Sequence, residues 1–374
     1  MKENLWVPHN RPEIDPEDIE AVVCTLRSLN IAGGASVRCL EQELSQLMGG
    51  GSACAVSSGT AALALALKAL GIKQGCHVAV PAYSCNALLE AVHFCGASVR
   101  VIDVDENFSL CPSHLRSVAL QTSIDAIIAV HTFGYLAPID ELRRAAPGVG
   151  IVEDCCHSIG GEFLDGELAG QGDVSVYSFY ATKPIVAGEG GLIWSRRKDL
   201  VEYIRSLIHP KWVNSGDDHF NFRLTDIQAS LARSQLTRLM KSRRRRADIA
   251  VRYGLVCNEV GQEWWTAQIG VSKNQMIYRF ILRVADEINA EHVVEHFRAR
   301  RVEASRLFRY EELLHRLLRL KSGCPMAEHL SRTTVSIPLF TGMQEAEIEQ
   351  VEFALRDLGR RVKKPRKRGA ASVA

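Results

Sequence analysis

The run YSFYATKPIVAGEGG (177–191) carries apolar and aromatic residues up to one lysine, Lys183, then a loop of three glycines and one glutamate. On the surface that lysine is only solvated charge. Buried against aromatics, its pKa is depressed by desolvation and its amine becomes a nucleophile. Ser178 stands five residues earlier on the same run. A second fragment, SSGTAALALAL (57–67), opens a helical pattern at Gly59 and Thr60. The first N–H groups of a helix are unpaired and its dipole favours an anion, so a phosphate fits there with the Thr60 hydroxyl as a further donor. Ser-Gly-Thr serves equally as a helix cap with no ligand. A third fragment, GIVEDCCHSIGG (150–161), ends a strand pattern in Glu153 and Asp154, with His157 three residues on. A carboxylate there either caps the next turn or fixes a proton on the ring nitrogen of a bound heterocycle. A nucleophilic amine, an anion cradle and a lone carboxylate are together what pyridoxal phosphate (PLP) requires.

These residues need elements that bring them together. Apolar strand patterns at 78–81, 98–104, 126–131, 150–154, 174–180 and 191–195 alternate with helical patterns at 61–70, 86–95 and 138–146. That alternation predicts an α/β fold with a parallel sheet, whose sites lie at the carboxyl ends of the strands. Amphipathic helices are expected at 15–29 and 37–47, and one long helical pattern covers 225–253. The four arginines 243–246 read as the wet face of that helix. Beyond it come a strand at 276–284 and helices at 287–301 and 345–359. We expect a large α/β domain over 1–245, a smaller α+β domain over 246–360 and a basic, disordered tail over 361–374.

Composition narrows the class. The chain has 374 residues, 47% of them hydrophobic and 24% charged, as in an ordinary globular protein. No apolar run approaches the roughly 20 residues of a membrane span, and the first residues lack the apolar core of a signal peptide. Eleven scattered cysteines suit reduced thiols in a cytoplasm better than a disulfide framework, and no paired spacing suggests a metal site. The net charge is +2, and RRVKKPRKR (360–368) carries seven positive charges, leaving the rest mildly acidic. No recognition motif accompanies that tail, so neither nucleic acid nor membrane is an expected partner.

The chain resembles the DegT/StrS family of PLP-dependent sugar aminotransferases over nearly its whole length. The motifs SSGTAAL, VEDCCHSIGG and GDVSVYSFYATKPIVAGEGG match in order, followed by HFNFRLTDIQASLA (219–232) and SIPLF (336–340). The resemblance implies the fold-type-I architecture: a mainly parallel seven-stranded sheet flanked by helices, with a smaller α+β domain. It implies that Lys183 forms the Schiff base, Asp154 pairs with the pyridine nitrogen and His157 stands near the 3-hydroxyl. Gly59, Thr60 and Ser178 would hold the phosphate, Cys85 would pack on the cofactor ring, and Asn221 would reach the phosphate of a neighbouring subunit. A homodimer with shared sites follows, moving an amino group from glutamate or glutamine to a keto-sugar, in this family usually nucleotide-linked.

Three departures bear on the acceptor. Cys85, with Tyr83 two residues before it, stands where many members stack an aromatic residue on the ring. Leu29 and Asn30 replace the usual small-aromatic pair, and EASRLFRYEELLHR (303–316) occupies the place of the late "HYP" segment. Arg306, Arg309 and Lys211 are candidates for a diphosphate. A keto-cyclitol is the second acceptor class. A related sugar dehydratase would carry histidine at Lys183, and a non-catalytic regulator would have lost the cofactor residues.

Overall fold

The computed structural model describes residues 5–163, 166–209, 219–260, 265–267, 274–321 and 323–362. Short runs rich in Val, Ile and Ala form the central sheet: β1 (Ser52–Val56), β2 (His77–Pro81), β3 (Ser98–Ile102), β4 (Ala126–Val130), β5 (Gly150–Asp154), β6 (Val174–Ser178) and β7 (Gly191–Ser195). β4, AIIAV, is buried at every position, as a strand covered on both faces must be. The seven strands lie in the order β1-β7-β6-β5-β4-β2-β3. β7 runs antiparallel to β1 and β6, and the other pairs are parallel. This is the expected α/β architecture.

The helix Gly59–Ala69 explains how the sheet is covered. Its sequence GTAALALALKA is apolar nearly all round, and seven of its residues are buried. Such a helix has to lie inside, and it packs on β1, β5, β6 and β7. Ser58 caps it by accepting from the Ala61 N–H at 3.1 Å. Gly191, paired with Val56 and Ser178 in the sheet, makes room for this cap. A Cβ there would come within 2.5 Å of the Ser58 carbonyl oxygen and 2.9 Å of the Gly59 nitrogen.

A second, antiparallel sheet holds β8 (Trp265–Ala267), β9 (Phe280–Val284) and β10 (Thr334–Ile337), in the order β10-β9-β8. Helices Ala290–Arg298, Glu345–Val362 and Leu239–Val260 accompany it, around a core that includes Tyr253, Phe280, Phe297, Ile337 and Leu355. Val7 of the N-terminal segment is buried in this core and bridges Val302.

Two sequence expectations are corrected. The pattern at 225–253 is two helices, Asp226–Leu236 and Leu239–Val260, meeting at Thr237 and Arg238. The 243–246 arginines are not a uniformly wet face: Arg243 and Arg246 are buried. Arg243 bonds the Gly160 carbonyl and the Glu162 carboxylate, both at 2.7 Å. Arg246 bonds the carbonyls of Tyr278 and Leu339. Long arginine side chains here tie the helix to the chain segments it crosses, a role that a charge pattern does not reveal. No helix among the described residues is long and apolar enough to cross a membrane. Lys211 and the basic tail beyond residue 362 lie outside the described residues.

Candidate active site

β5 and β6 are neighbours in the sheet, and Asp154 at the end of β5 pairs with Val130 of β4 and Val176 of β6. Its side chain is buried, and Oδ1 accepts from the Cys156 N–H at 2.9 Å. The chain turns there into Cys155, Cys156 and His157. From β6, Ser178 leads through a turn closed by the Lys183 N–H and the Tyr180 carbonyl, 2.8 Å apart. The two turns meet: Lys183 Nζ lies 2.9 Å from His157 Nε2.

Lys183 is half-buried, and its charge state differs from the expectation of a depressed pKa. Burial does act to lower it. Tyr278, Cys156, Asp154 and Cys85 surround the amine and outweigh that effect, so its pKa is raised. The neighbours that favour the ammonium were not visible from aromatic flanks alone. His157 goes the opposite way: burial, then Lys183 and Arg279, hold it well below its usual value, so the ring is neutral. On the other side of the ring, the Phe133 N–H donates to Nδ1 at 3.3 Å.

The phosphate elements converge on the same place. A Cβ built on Gly59 would sit 2.9 Å from Ser178 Cβ, 3.2 Å from its Oγ and 3.5 Å from Cys156 Sγ. The open first turn of helix Gly59–Ala69 therefore faces Ser178, with Thr60 half-buried beside it. Donors for an oxyanion, a lysine and a buried carboxylate within one turn-on-turn cluster fit PLP.

Cys85 sits at the edge of the cleft beside Asp154 and Lys183, enclosed by protein on most sides but with part of its surface open to solvent. Burial by the surrounding protein, with Asp154 nearby, pushes its thiol up, and Cys156 is pushed up in the same way. Both are neutral thiols, consistent with packing and not with nucleophilic attack. Tyr83 does not face the cleft. It is fully buried against Phe108, Phe133 and Phe308, with ring centroids at 5.5, 6.3 and 4.9 Å. Asn221 is exposed. Its neighbours are pinned: Ser57 donates to the Phe222 carbonyl, Phe220 to the Leu207 carbonyl, and Arg223 bridges Val56.

Sequence reasoning missed several groups. Tyr278, from the segment leading into β9, stacks on His157 with centroids 4.0 Å apart and planes 10° apart. Its strand pattern gave no hint that one residue reaches the lysine. Glu153, named beside Asp154 in the sequence but given no role of its own, is buried beneath the site, bonded to His131 Nε2 at 2.6 Å and the Gly170 N–H at 2.7 Å. His131 Nδ1 in turn accepts from the Ala137 N–H at 2.8 Å. His131, Glu153 and Cys155 lie close enough to suggest a metal cluster, but these bonds already engage His131 and Glu153. The arginines proposed for a diphosphate are also altered. Arg306 is engaged by the Ser331 carbonyl at 2.6 Å and Glu291 at 3.7 Å, whereas Arg309 is exposed.

The profile of the DegT/DnrJ/EryC1/StrS aminotransferase family matches residues 12–356. Among solved structures, the aminotransferase TlmJ from Streptoalloteichus hindustanus is similar at 24% identity, covering 96% of this chain and 100% of that one, with TM-score 0.86. Helicobacter pylori PseC, an aminotransferase involved in the biosynthesis of pseudoaminic acid, is 19% identical, with coverages of 96% and 100% and TM-score 0.87. DesV from S. venezuelae is 26% identical, with coverages of 92% and 94% and TM-score 0.83.

Proposed function

The chain belongs to the DegT/DnrJ/EryC1/StrS aminotransferase family, and from that premise we propose that it moves an amino group from glutamate or glutamine to a nucleotide-linked keto-deoxysugar. It is a PLP-dependent aminotransferase of fold-type-I architecture. The observation that carries the assignment of its site is the convergence of Lys183, His157, Asp154, Ser178 and Gly59 at the ends of β5 and β6.

When bound, PLP supplies an electron sink for the carbanion formed at the substrate carbon. The protein's own residues do the rest. Lys183 Nζ would hold the cofactor covalently and, as a free amine, would carry a proton to and from the substrate carbon. Asp154, buried and supported by the Cys156 N–H, holds the proton on the ring nitrogen. The helix N–H groups at Gly59 and Thr60, with the Ser178 hydroxyl, bind the phosphate. His157 would stand near the 3-hydroxyl. Cys85 packs at the ring without taking part in the chemistry.

Asn221 belongs to the partner's site in this reading, and the homodimer is required for a complete phosphate cradle. Its exposure, on a backbone held rigidly to β1 and the 57–59 turn, supports this. The free state of all eleven cysteines supports a cytoplasmic location. The division near residue 245 is likewise our proposal, supported by Ala247 and later residues of helix Leu239–Val260 joining the second core.

A keto-cyclitol is the second reading of the acceptor, favoured by one observation. Arg306 is committed to Ser331 and Glu291, which removes one of the cations proposed for a diphosphate. The dehydratase reading conflicts with Lys183. The test is spectroscopic. The purified protein is expected to be yellow, to bleach with glutamate or glutamine, and to regain its band only with the true ketone from a panel of keto-nucleotide-sugars and keto-cyclitols. Lys183→Arg should be colourless and inactive; turnover in that variant would refute the lysine assignment.

A further inference from the structure

We propose that Tyr278 is a positioning residue for Lys183, one phenol that holds both the Thr182–Lys183 turn and the His157 ring in place. The proposal rests on Lys183 being the lysine that bonds the cofactor.

Tyr278 precedes β9 of the smaller sheet, yet it packs in a separate cluster with Tyr83, Phe108 and Phe133 and reaches the catalytic turn. Its ring stacks on His157, and its Oη donates to Thr182 Oγ1 at 3.3 Å. Lys183 Nζ lies 5.4 Å from the ring centroid. The backbone is tied to the same place, because the Tyr278 N–H donates to the Phe133 carbonyl at 3.1 Å. Phe133 is the residue whose N–H meets His157. It holds φ at 59°, a left-handed conformation that costs about 1–3 kcal/mol and persists only where its surroundings enforce it. Gly134 permits the close crossing: a Cβ there would lie 1.8 Å from the Met276 carbonyl oxygen.

Behind the phenol stands a wired support. Arg279, itself buried, gives Nη2 to Tyr278 Oη at 3.4 Å and Nη1 to His9 Nδ1 at 2.8 Å. A guanidinium only donates. His9 therefore accepts on Nδ1, carries its proton on Nε2 and donates to Ser336 Oγ at 2.9 Å. The phenol oxygen, already accepting from Arg279, is left to donate to Thr182. The direction of every bond in the chain is thus set by the charge of Arg279. The titratable and charged groups facing Tyr278 are Lys183, Arg279, Arg246 and His157. Burial pushes the phenol up, but Lys183 and Arg279 lead a larger opposing effect, and the net direction is down.

A tyrosine that merely filled space would be replaced by phenylalanine without consequence. One that positions Lys183 should show two separable effects when its hydroxyl is removed. Loss of the Thr182 contact slows the amine at every pH. Loss of a nearby group that favours the ammonium lowers the pH at which the amine becomes free.

Full-length protein stripped of cofactor would be mixed with PLP and quenched with borohydride at timed intervals across pH 7 to 11. Mass spectrometry of the Lys183 peptide then gives the capture rate. For Tyr278→Phe we expect the high-pH plateau to fall about tenfold, less than the ~100-fold that a 1 Å misplacement costs, and the midpoint to move to lower pH. Thr182→Val should reproduce the plateau loss and Thr182→Ser should restore it. A Tyr278→Phe plateau within twofold of the parent, at unchanged melting temperature, overturns the proposal. Capture at a different lysine refutes the underlying lysine assignment and the proposal with it.

Discussion

Gly59→Ala adds one methyl group at the point where the phosphate cradle is built. Gly59 is the first residue of helix Gly59–Ala69 and has no left-handed backbone, so alanine brings no conformational strain and improves intrinsic helix propensity by about 1 kcal/mol. The penalty is steric. The new Cβ would lie 2.9 Å from Ser178 Cβ, whereas carbons in contact sit ~3.5–4.0 Å apart. One partner must retreat by roughly 0.6–1 Å. Ser178 cannot retreat freely, since it is paired to Gly191 in the sheet and its Oγ accepts from the Tyr180 N–H at 3.3 Å. Overpacking of this kind costs ~1–3 kcal/mol, which the gain in propensity partly offsets. We therefore expect a net change in stability of about 0–2 kcal/mol.

The effect on cofactor should be much larger than that. The displaced group is Ser178, four residues from the Thr182–Lys183 turn, and the methyl occupies the open first turn itself. A misplacement approaching 1 Å is worth up to about 100-fold, so PLP affinity should fall by ~10–100-fold, or about 1.4–2.7 kcal/mol. Fluorescence titration of PLP into stripped protein measures this directly, with urea denaturation of the apo form beside it. Gly71→Ala is the control. Its φ is +82° and its Cβ would meet nothing within 4 Å, so it should lose ~1–2 kcal/mol of stability and no affinity. A Gly59→Ala protein that binds PLP within twofold of the parent would refute the placement of the phosphate at this turn.

Other expectations follow from groups around the site. His131→Leu strips the side-chain donor from the buried Glu153 carboxylate, leaving it the Gly170 and Gly172 N–H groups, and orphans the Ala137 N–H; it should cost ~3 kcal/mol in urea denaturation, and a loss under about 1 kcal/mol would show that Glu153 is neutral. Asn221→Ala should leave apo stability unchanged, since the side chain is exposed, yet speed PLP release from the dimer; an unchanged release rate counts against a shared site. Burial, then Arg279, holds His9 at about 3 in the folded chain, against 6.5 ordinarily. The unfolded chain alone takes up that proton, so stability present above pH 6.5 is lost as pH falls toward 3. Between pH 6.5 and 5 this amounts to about 1.6 kcal/mol. Denaturation at the two pH values should show a smaller drop for His9→Asn, and an equal drop would mean that His9 titrates normally.

How far the sequence announces this site depends on the range of each interaction. The motif residues 57–60, 154–157 and 178–183 are local signals: a cap, a strand end and a turn, each written in adjacent residues, and the sheet order brings them together. GIVED and GLIWS coincide with β5 and β7 because apolar runs bounded by glycine and charge leave little freedom. β1, SACAV, was harder to single out because small residues give a weak strand signal. The long-range pieces were hidden. Nothing in MIYRFILRV distinguishes Tyr278, which faces His157, from Phe280, which is buried in the second core. The alternation of a strand gives its faces, but not what lies 121 residues away in sequence at His157. The pKa of Lys183 shows the same limit. Desolvation can be guessed from aromatic neighbours in the chain, but its opponents, Tyr278, Cys156, Asp154 and Cys85, arrive from three other segments. The sign of the shift is therefore a property of the assembled turns, and any variant that moves one of those segments should change Lys183 without touching its own sequence.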